Sequence, residues 1–165
     1  MSFVCNECGE THDGLPTDSA FKLPDDVWAI PEPERSAKAK FTSDLCQLAE
    51  RYFIRCLLEV PFTDQSGYYG WGAWAEVDWP VFKRYLDLYE KDGTAEAQAE
   101  GKLANDLPTY SGTLGLRVLL KFQTPDRRPT LHFPANARHQ LAREAAQGIS
   151  YTRFHEILVA RKQVS

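Results

Sequence analysis

The stretch that decides the fold covers residues 52–77: YFIRCLLEV over 52–60, PFTDQSG over 61–67 and YYGWGAWAEV over 68–77. Apolar residues alternate in the first segment, which is typical of a half-buried strand. The turn is bracketed by Pro61 and Gly67, and the second segment alternates again. Its inward-facing positions are predicted to be Tyr69, Trp71, Ala73, Ala75 and Val77. The two segments therefore predict an antiparallel hairpin.

A helix is predicted directly after this hairpin. Pro80 is tolerated in a first helical turn, and apolar residues then recur at helical spacing until Gly93. Alternating patterns predict further strands over 97–104, 114–123 and 129–133. Two helices close the chain over 137–147 and 151–164, with Ser150 as the N-cap of the second.

The segment before the hairpin is predicted to be largely irregular. Four prolines interrupt residues 13–40, and only a short helix over 25–30 is expected. The fold class is predicted as α+β, a single domain over 1–165 with a mostly antiparallel sheet. Its parts are an N-terminal zinc knuckle (1–15), a sheet with one inserted helix (41–133) and C-terminal helices (137–164).

The charge pattern and the hydropathy of the sequence disfavour two classes of protein, nucleic-acid binders and membrane proteins. The 165 residues carry a formal net charge of -4, and basic residues are not clustered, which disfavours nucleic-acid binding. No apolar tract is long enough to span a membrane, and the N-terminus lacks the pattern of a secretory signal. The protein is therefore expected to be soluble and cytoplasmic.

A close cysteine pair indicates a metal site. Cys5 and Cys8 lie three positions apart and Gly9 follows, so a tight turn can aim both sulfur atoms at one point. Zinc prefers thiolate and imidazole ligands in a tetrahedron. A redox-active pair, or cysteines without a metal, are the alternatives to a structural zinc.

The remaining zinc ligands must come from the other cysteines and histidines. His12 can complete the site from its own loop, and Cys46 can reach it from an irregular stretch. Cys56 falls on the apolar parity of the first strand, where a thiol packs as a small hydrophobe. The predicted ligands are therefore Cys5, Cys8, His12 and Cys46, a closed structural site with no position for substrate.

Aromatic residues suggest a second site, a binding surface formed by Tyr68, Trp71 and Trp74. The two tryptophans have opposite parity, so a regular strand turns one of them away from the core. That tryptophan either remains exposed and binds a partner, or another element covers it.

No catalytic residue is predicted. His132, His139 and His155 are each interpreted as structural histidines. No nucleophile elbow, phosphate-binding glycine loop or H-E-x-x-H motif accompanies them.

Several motifs together resemble a known family. They are Cys5-x2-Cys8-Gly9-x2-His12, Asp44-Leu45-Cys46, Phe53-Ile54-Arg55, Trp71-Gly72-x-Trp74, Leu107-Pro108 and Gly148-Ile149-Ser150. This ordered set resembles the bacterial domain-of-unknown-function family 2199. The resemblance implies His12 and Cys46 as companions of the cysteine pair, and it implies no activity. The family has Arg-Gly where this chain has Arg55-Cys56, which counts against Cys56 as a ligand.

The sequence thus favours a protein-binding or regulatory module, such as an adaptor or an immunity-type inhibitor, whose partner is another protein. The first alternative is a hydrolase with a cleft between the sheet and the C-terminal helices. The second is a nucleic-acid binder that uses the zinc knuckle, but acidic residues surround that knuckle.

Overall fold

The computed structural model describes residues 2–4, 11–13 and 18–164, with side chains over 19–160. The strands are β1 (Ser2–Val4), β2 (Thr11–Asp13), β3 (Asp18–Ala20), β4 (Ala39–Phe41), β5 (Leu45–Leu48), β6 (Arg51–Pro61), β7 (Tyr68–Val77), β8 (Ala99–Leu103), β9 (Arg117–Lys121) and β10 (Thr130–His132). The helices are α1 (Asp25–Trp28), α2 (Glu32–Lys38), α3 (Trp79–Leu88), α4 (Gln140–Gln147) and α5 (Tyr151–Val164).

The predicted hairpin is the longest ladder in the described sheet. β6 and β7 are antiparallel from Tyr52↔Val77 to Pro61↔Tyr68. The residues that face inward are the predicted ones, because Ile54, Trp71 and Ala73 all belong to the main core. The hairpin prediction is confirmed.

The strands close into a five-stranded barrel in the order β7-β8-β9-β10-β6, with β6 pairing back to β7. The closing pair, β10 and β6, is parallel and has one register pair, Thr130↔Leu57. β3 is also parallel where it pairs with β7. The sheet is therefore mixed but mostly antiparallel, so the predicted α+β class with a mostly antiparallel sheet and C-terminal helices is confirmed, whereas the closure into a barrel was not predicted.

The barrel interior is continuous with the core under the helices. α3 contributes Phe82 and Tyr85 to this core, and the C-terminal helices contribute Leu141, Phe154 and Ile157. Ser150 caps α5 as predicted, since its Oγ accepts a hydrogen bond from the Arg153 amide at 3.1 Å.

A second core lies on the outer face of β6 and β7. Its buried residues are Leu23, Val27, Ala39, Cys46, Phe53, Trp74 and Ala104. The fully buried Asn105 joins its parts: it accepts a hydrogen bond from the Trp74 amide at 2.8 Å and donates to the Leu23 carbonyl at 3.0 Å. The segment containing α1 is thereby fixed against the outside of the barrel.

Elements before the hairpin are more regular than predicted. α2 forms although Pro31 and Pro33 flank its start, because Pro33 lies in the first turn, where its missing N–H is not needed. The hairpin of β4 and β5 extends the sheet from the β6 edge, and β3 extends it from β7. No helix in the described part of the chain combines the length and apolar composition that a membrane crossing requires.

Candidate functional site

A cleft of about 870 Å³ lies between the outer wall of the barrel and α4. Its position follows from the short parallel pairing of β6 with β10. Two residues beyond Thr130↔Leu57, His132 and Glu59 do not pair, and both line the cleft instead. The seam between the two strands has opened there, and α4 covers the opening with Ala142, Ala145 and Ala146.

Positive side chains dominate the charged lining of the cleft. Lys121, Arg127 and Arg143 contribute three cations, and Glu59 is the lining carboxylate. Arg127 lies 3.7 Å from Glu59, and Arg143 Nη1 donates to the Arg138 carbonyl at 2.8 Å. Within the described residues, Lys121 has no ion-pair partner. The cleft is thus locally cationic on an acidic protein.

A hydrogen-bonded chain of three side chains lies on the wall of the cleft. Gln123 Nε2 lies 3.0 Å from Thr130 Oγ1, which lies 2.9 Å from His132 Nε2. Because the Thr130 oxygen accepts from the Gln123 amide, its own hydrogen is free to donate to an unprotonated Nε2. Partial burial lowers the pKa of His132, and the positive charge of nearby Lys121 lowers it further. The negative charge of Glu59 acts in the opposite direction but does not outweigh these two effects. The geometry and the charges therefore both favour neutral His132 near pH 7.

A second hollow of about 420 Å³ adjoins the cleft, and Tyr68 and Arg127 line both. Its wall includes Asp44, which accepts from the Tyr89 hydroxyl at 2.6 Å and from Arg128 Nε at 3.0 Å. Burial alone would raise the pKa of Asp44, but these hydrogen bonds lower it below its usual value. Asp44 is therefore a structural anion that its neighbours already satisfy.

The predicted aromatic surface is not formed by the two tryptophans. Trp71 and Trp74 are both 0% exposed, the first inside the barrel and the second in the outer core. Trp74 has the outward parity, as the sequence requires, but the segment before α1 covers it, and its Nε1 donates to the Phe21 carbonyl at 2.9 Å. Only Tyr68 of the three is exposed, at the meeting point of the two hollows.

Of the four predicted zinc ligands, the structure describes the side chain of Cys46 only. Cys5 and Cys8 lie outside the described residues, as does the side chain of His12, whose backbone pairs with Phe3 across β1 and β2. Cys46 is buried as a free thiol, and its apolar surroundings raise its pKa to about 11. Cys56 is a free thiol inside the barrel. Across the described side chains, no three His, Cys, Asp or Glu residues converge as a metal site.

The three histidines have different environments. The ring of His139 accepts a hydrogen bond through Nδ1 from the Leu141 amide at 3.0 Å and so caps α4, which is a structural role. His155 is exposed on α5. His132 lines the cleft, so it is the histidine placed where it can meet a ligand. The sequence signal for His132 was that it alternates with Leu131 and so faces outward from β10, but alternation alone does not show that a cleft lies on that side.

Comparison with protein families finds one match, over residues 4–149, to the family described as "Uncharacterized protein conserved in bacteria (DUF2199)". The chain belongs to this family, which confirms the resemblance drawn from its motifs. Comparisons with curated proteins and with solved structures give no match.

Proposed function

We propose that this member of an uncharacterised bacterial family is a binding module whose partner places an anionic group in the cleft beside α4. The observation that carries the proposal is the charge of the lining, where Lys121, Arg127 and Arg143 face a single carboxylate, Glu59. A cationic cleft on a chain of net charge -4 concentrates anions locally and repels them elsewhere.

The cleft also has the size and polarity of a ligand site. Its volume of about 870 Å³ lies within the range of small-molecule and cofactor sites. Leu131 and three alanines of α4 give it an apolar floor, while the charged groups lie on the walls. Arginine binds carboxylates through two parallel hydrogen bonds, so Arg143 can fix the orientation of an anionic group.

Benzoate and benzamide provide a matched pair of probes, because they share the ring and differ in charge. We expect benzoate, titrated into ¹⁵N-labelled protein, to shift the amide signals of Lys121, His132 and Arg143, and we expect benzamide to shift them much less. Arg143→Gln should weaken benzoate binding. Lys102→Gln, a control at an exposed position on β8, should leave it unchanged. Equal binding of the two probes, or shifts confined to another surface, would overturn the proposal.

A second candidate function is acyl-group hydrolysis, favoured by the contact of Thr130 Oγ1 with His132 Nε2. In that reaction His132 takes the hydroxyl proton while Oγ1 attacks an acyl carbon. The proton then passes to the leaving group, and water hydrolyses the resulting ester of Thr130. This candidate ranks second because Gln123 already engages the attacking oxygen. A Thr130→Val variant that cleaves p-nitrophenyl acetate as fast as the parent protein would exclude it.

We also propose that Cys5, Cys8, His12 and Cys46 hold a structural zinc ion. The support is the spacing of the cysteine pair, which lies in sequence between β1 and β2, two strands that pair with each other. Burial in apolar surroundings raises the pKa of the Cys46 thiol. Cys46 would therefore be a thiolate only if a cation lay next to its sulfur atom. A zinc ion held by these four ligands would stabilise the fold and leave catalysis to other residues.

A further inference from the structure

The open seam presents an unpaired stretch of strand edge inside the cleft. Alternate residues of β6 direct their backbone groups away from β7, since the Arg55 amide donates to the Asp44 carbonyl and the Leu57 amide to the Pro129 carbonyl. Four residues beyond Leu57, the Pro61 carbonyl accepts from the Ile149 amide at 2.8 Å. The Glu59 N–H and C=O therefore point the same way, between these two partners.

Within the described residues, these two groups of Glu59 have no hydrogen-bond partner. The β6–β10 ladder has the single pair Thr130↔Leu57, and the next contact on this edge is the bridge Phe62↔Ile149. A strand edge with a free donor and a free acceptor is a template for another extended chain. Within the cleft, the backbone of Glu59 can therefore pair with one residue of another extended chain.

The length of the gap limits what can pair there. Leu57 and Pro61 are four residues apart, about 13 Å along a strand, and both ends are occupied by other segments of this chain. A long strand running through would meet β10 at one end and Ile149 at the other. A chain end avoids this conflict, because only its last residues need to enter.

From the cationic lining of the cleft and the unpaired strand edge at Glu59, we infer that the cleft binds the C-terminal residue of a partner polypeptide. The terminal carboxylate lies against Lys121 and Arg143, the backbone of the last residue pairs with Glu59, and the last side chain rests on the alanines of α4. This inference rests on the proposed function, because it names the anionic group that the cleft receives. Backbone pairing supplies affinity, and capture of the carboxylate selects a chain end.

The test uses hexapeptide pools with randomised sequence in three forms: free C-terminal acid, C-terminal amide, and free acid with an N-methylated last residue. We expect the free-acid pool to bind by NMR titration with shifts at Glu59, Lys121 and Arg143. Loss of the charge should weaken binding about tenfold or more, because hydrogen bonds to charged groups are the strong ones. N-methylation should weaken it as well, since it removes the donor to the Glu59 carbonyl.

The possible results distinguish a failure of the chain-end inference from a failure of the anion-binding proposal. If benzoate binds in the cleft but the acid and amide pools bind equally, the chain-end inference fails and the anion-binding proposal stands. If neither benzoate nor the acid pool shifts the cleft signals, both fail. Lys121→Gln should weaken the acid pool selectively, whereas an equal effect of the exposed control Lys102→Gln would also overturn the inference.

Discussion

Tyr89 donates its hydroxyl hydrogen to Asp44 Oδ2 at 2.6 Å, so the end of α3 is fixed to the turn between β4 and β5. Arg128 Nε donates to the other oxygen of the same carboxylate at 3.0 Å. Three segments that are distant in sequence therefore meet at Asp44. These hydrogen bonds outweigh the effect of burial, which on its own would raise the pKa of Asp44.

Tyr89→Phe should destabilise the protein in a pH-dependent way. Because the folded pKa of Asp44 is lowered, its stabilisation is present above the unfolded pKa of about 3.9 and is lost as pH falls through the folded value. At neutral pH we expect a loss of about 0.5–1.5 kcal/mol in the free energy of unfolding. Urea denaturation should show this deficit shrinking in acid. A deficit of the same size at every pH, or an equal deficit in Tyr68→Phe, would contradict the role assigned to Asp44.

Gly148 should not tolerate a side chain. Its φ is +88°, and a Cβ there would lie 2.8 Å from the Pro61 carbonyl oxygen. Gly112 has a φ of +69° but open space around it, so it is the matched control. We expect Gly112→Ala to cost about 1–2 kcal/mol for the backbone conformation alone. Gly148→Ala should cost about 1–3 kcal/mol more for the added steric clash. Similar midpoints of chemical denaturation for the two variants would refute this distinction.

Benzoate should bind more tightly as the pH falls below neutrality. The pKa of His132 is lowered, chiefly by partial burial and then by Lys121, so the ring is neutral near pH 7 and gains a positive charge in mild acid. Between about pH 7 and about pH 5.5 the carboxylate of benzoate stays ionised, so a change in affinity reports on the protein. His132→Gln should flatten this dependence, while His155→Gln on α5 should preserve it. An unchanged pH profile in His132→Gln would rule out His132 as the titrating group.

Protein purified without chelator should contain one zinc ion per chain, as measured by elemental analysis. Cys5→Ser and Cys8→Ser should lose the metal and lower the melting temperature, because binding free energy contributes directly to folding. Cys46→Ala should lose metal as well. Cys56→Ala is the control: it removes a buried thiol from the barrel and should lower stability without changing zinc content. Full zinc content in Cys5→Ser would refute the site.

The local part of the fold could be predicted from the sequence, and the barrel could not. β6 and β7 are adjacent along the chain, so alternation and a short turn were enough to indicate their pairing. Closure depends on Thr130 meeting Leu57, a contact between distant residues that no local pattern reports. Likewise the outward parity of Trp74 was correctly deduced, but its burial depends on α1 and its neighbours.

The cleft was outside the reach of sequence reasoning for the same reason. Its charged groups come from β6, β9, α4 and the loop before β10, so they share no motif or spacing. A cleft between the sheet and the C-terminal helices was predicted only as the site of the alternative hydrolase. The sequence could not predict that the opened seam would leave Glu59 facing that space, since this depends on where β6 and β10 diverge.

The hairpin of β6 and β7 is a wall with a different core on each side. Ile54 and Trp71 face the barrel interior, while Phe53 and Trp74 face the outer core. If either core lost its packing, one face of the β6–β7 ladder would become exposed. The other core packs against the opposite face of the same ladder and would lose its support. Heating should consequently melt both in a single calorimetric transition, with van't Hoff and calorimetric enthalpies in agreement, so the described layers act as one thermodynamic unit.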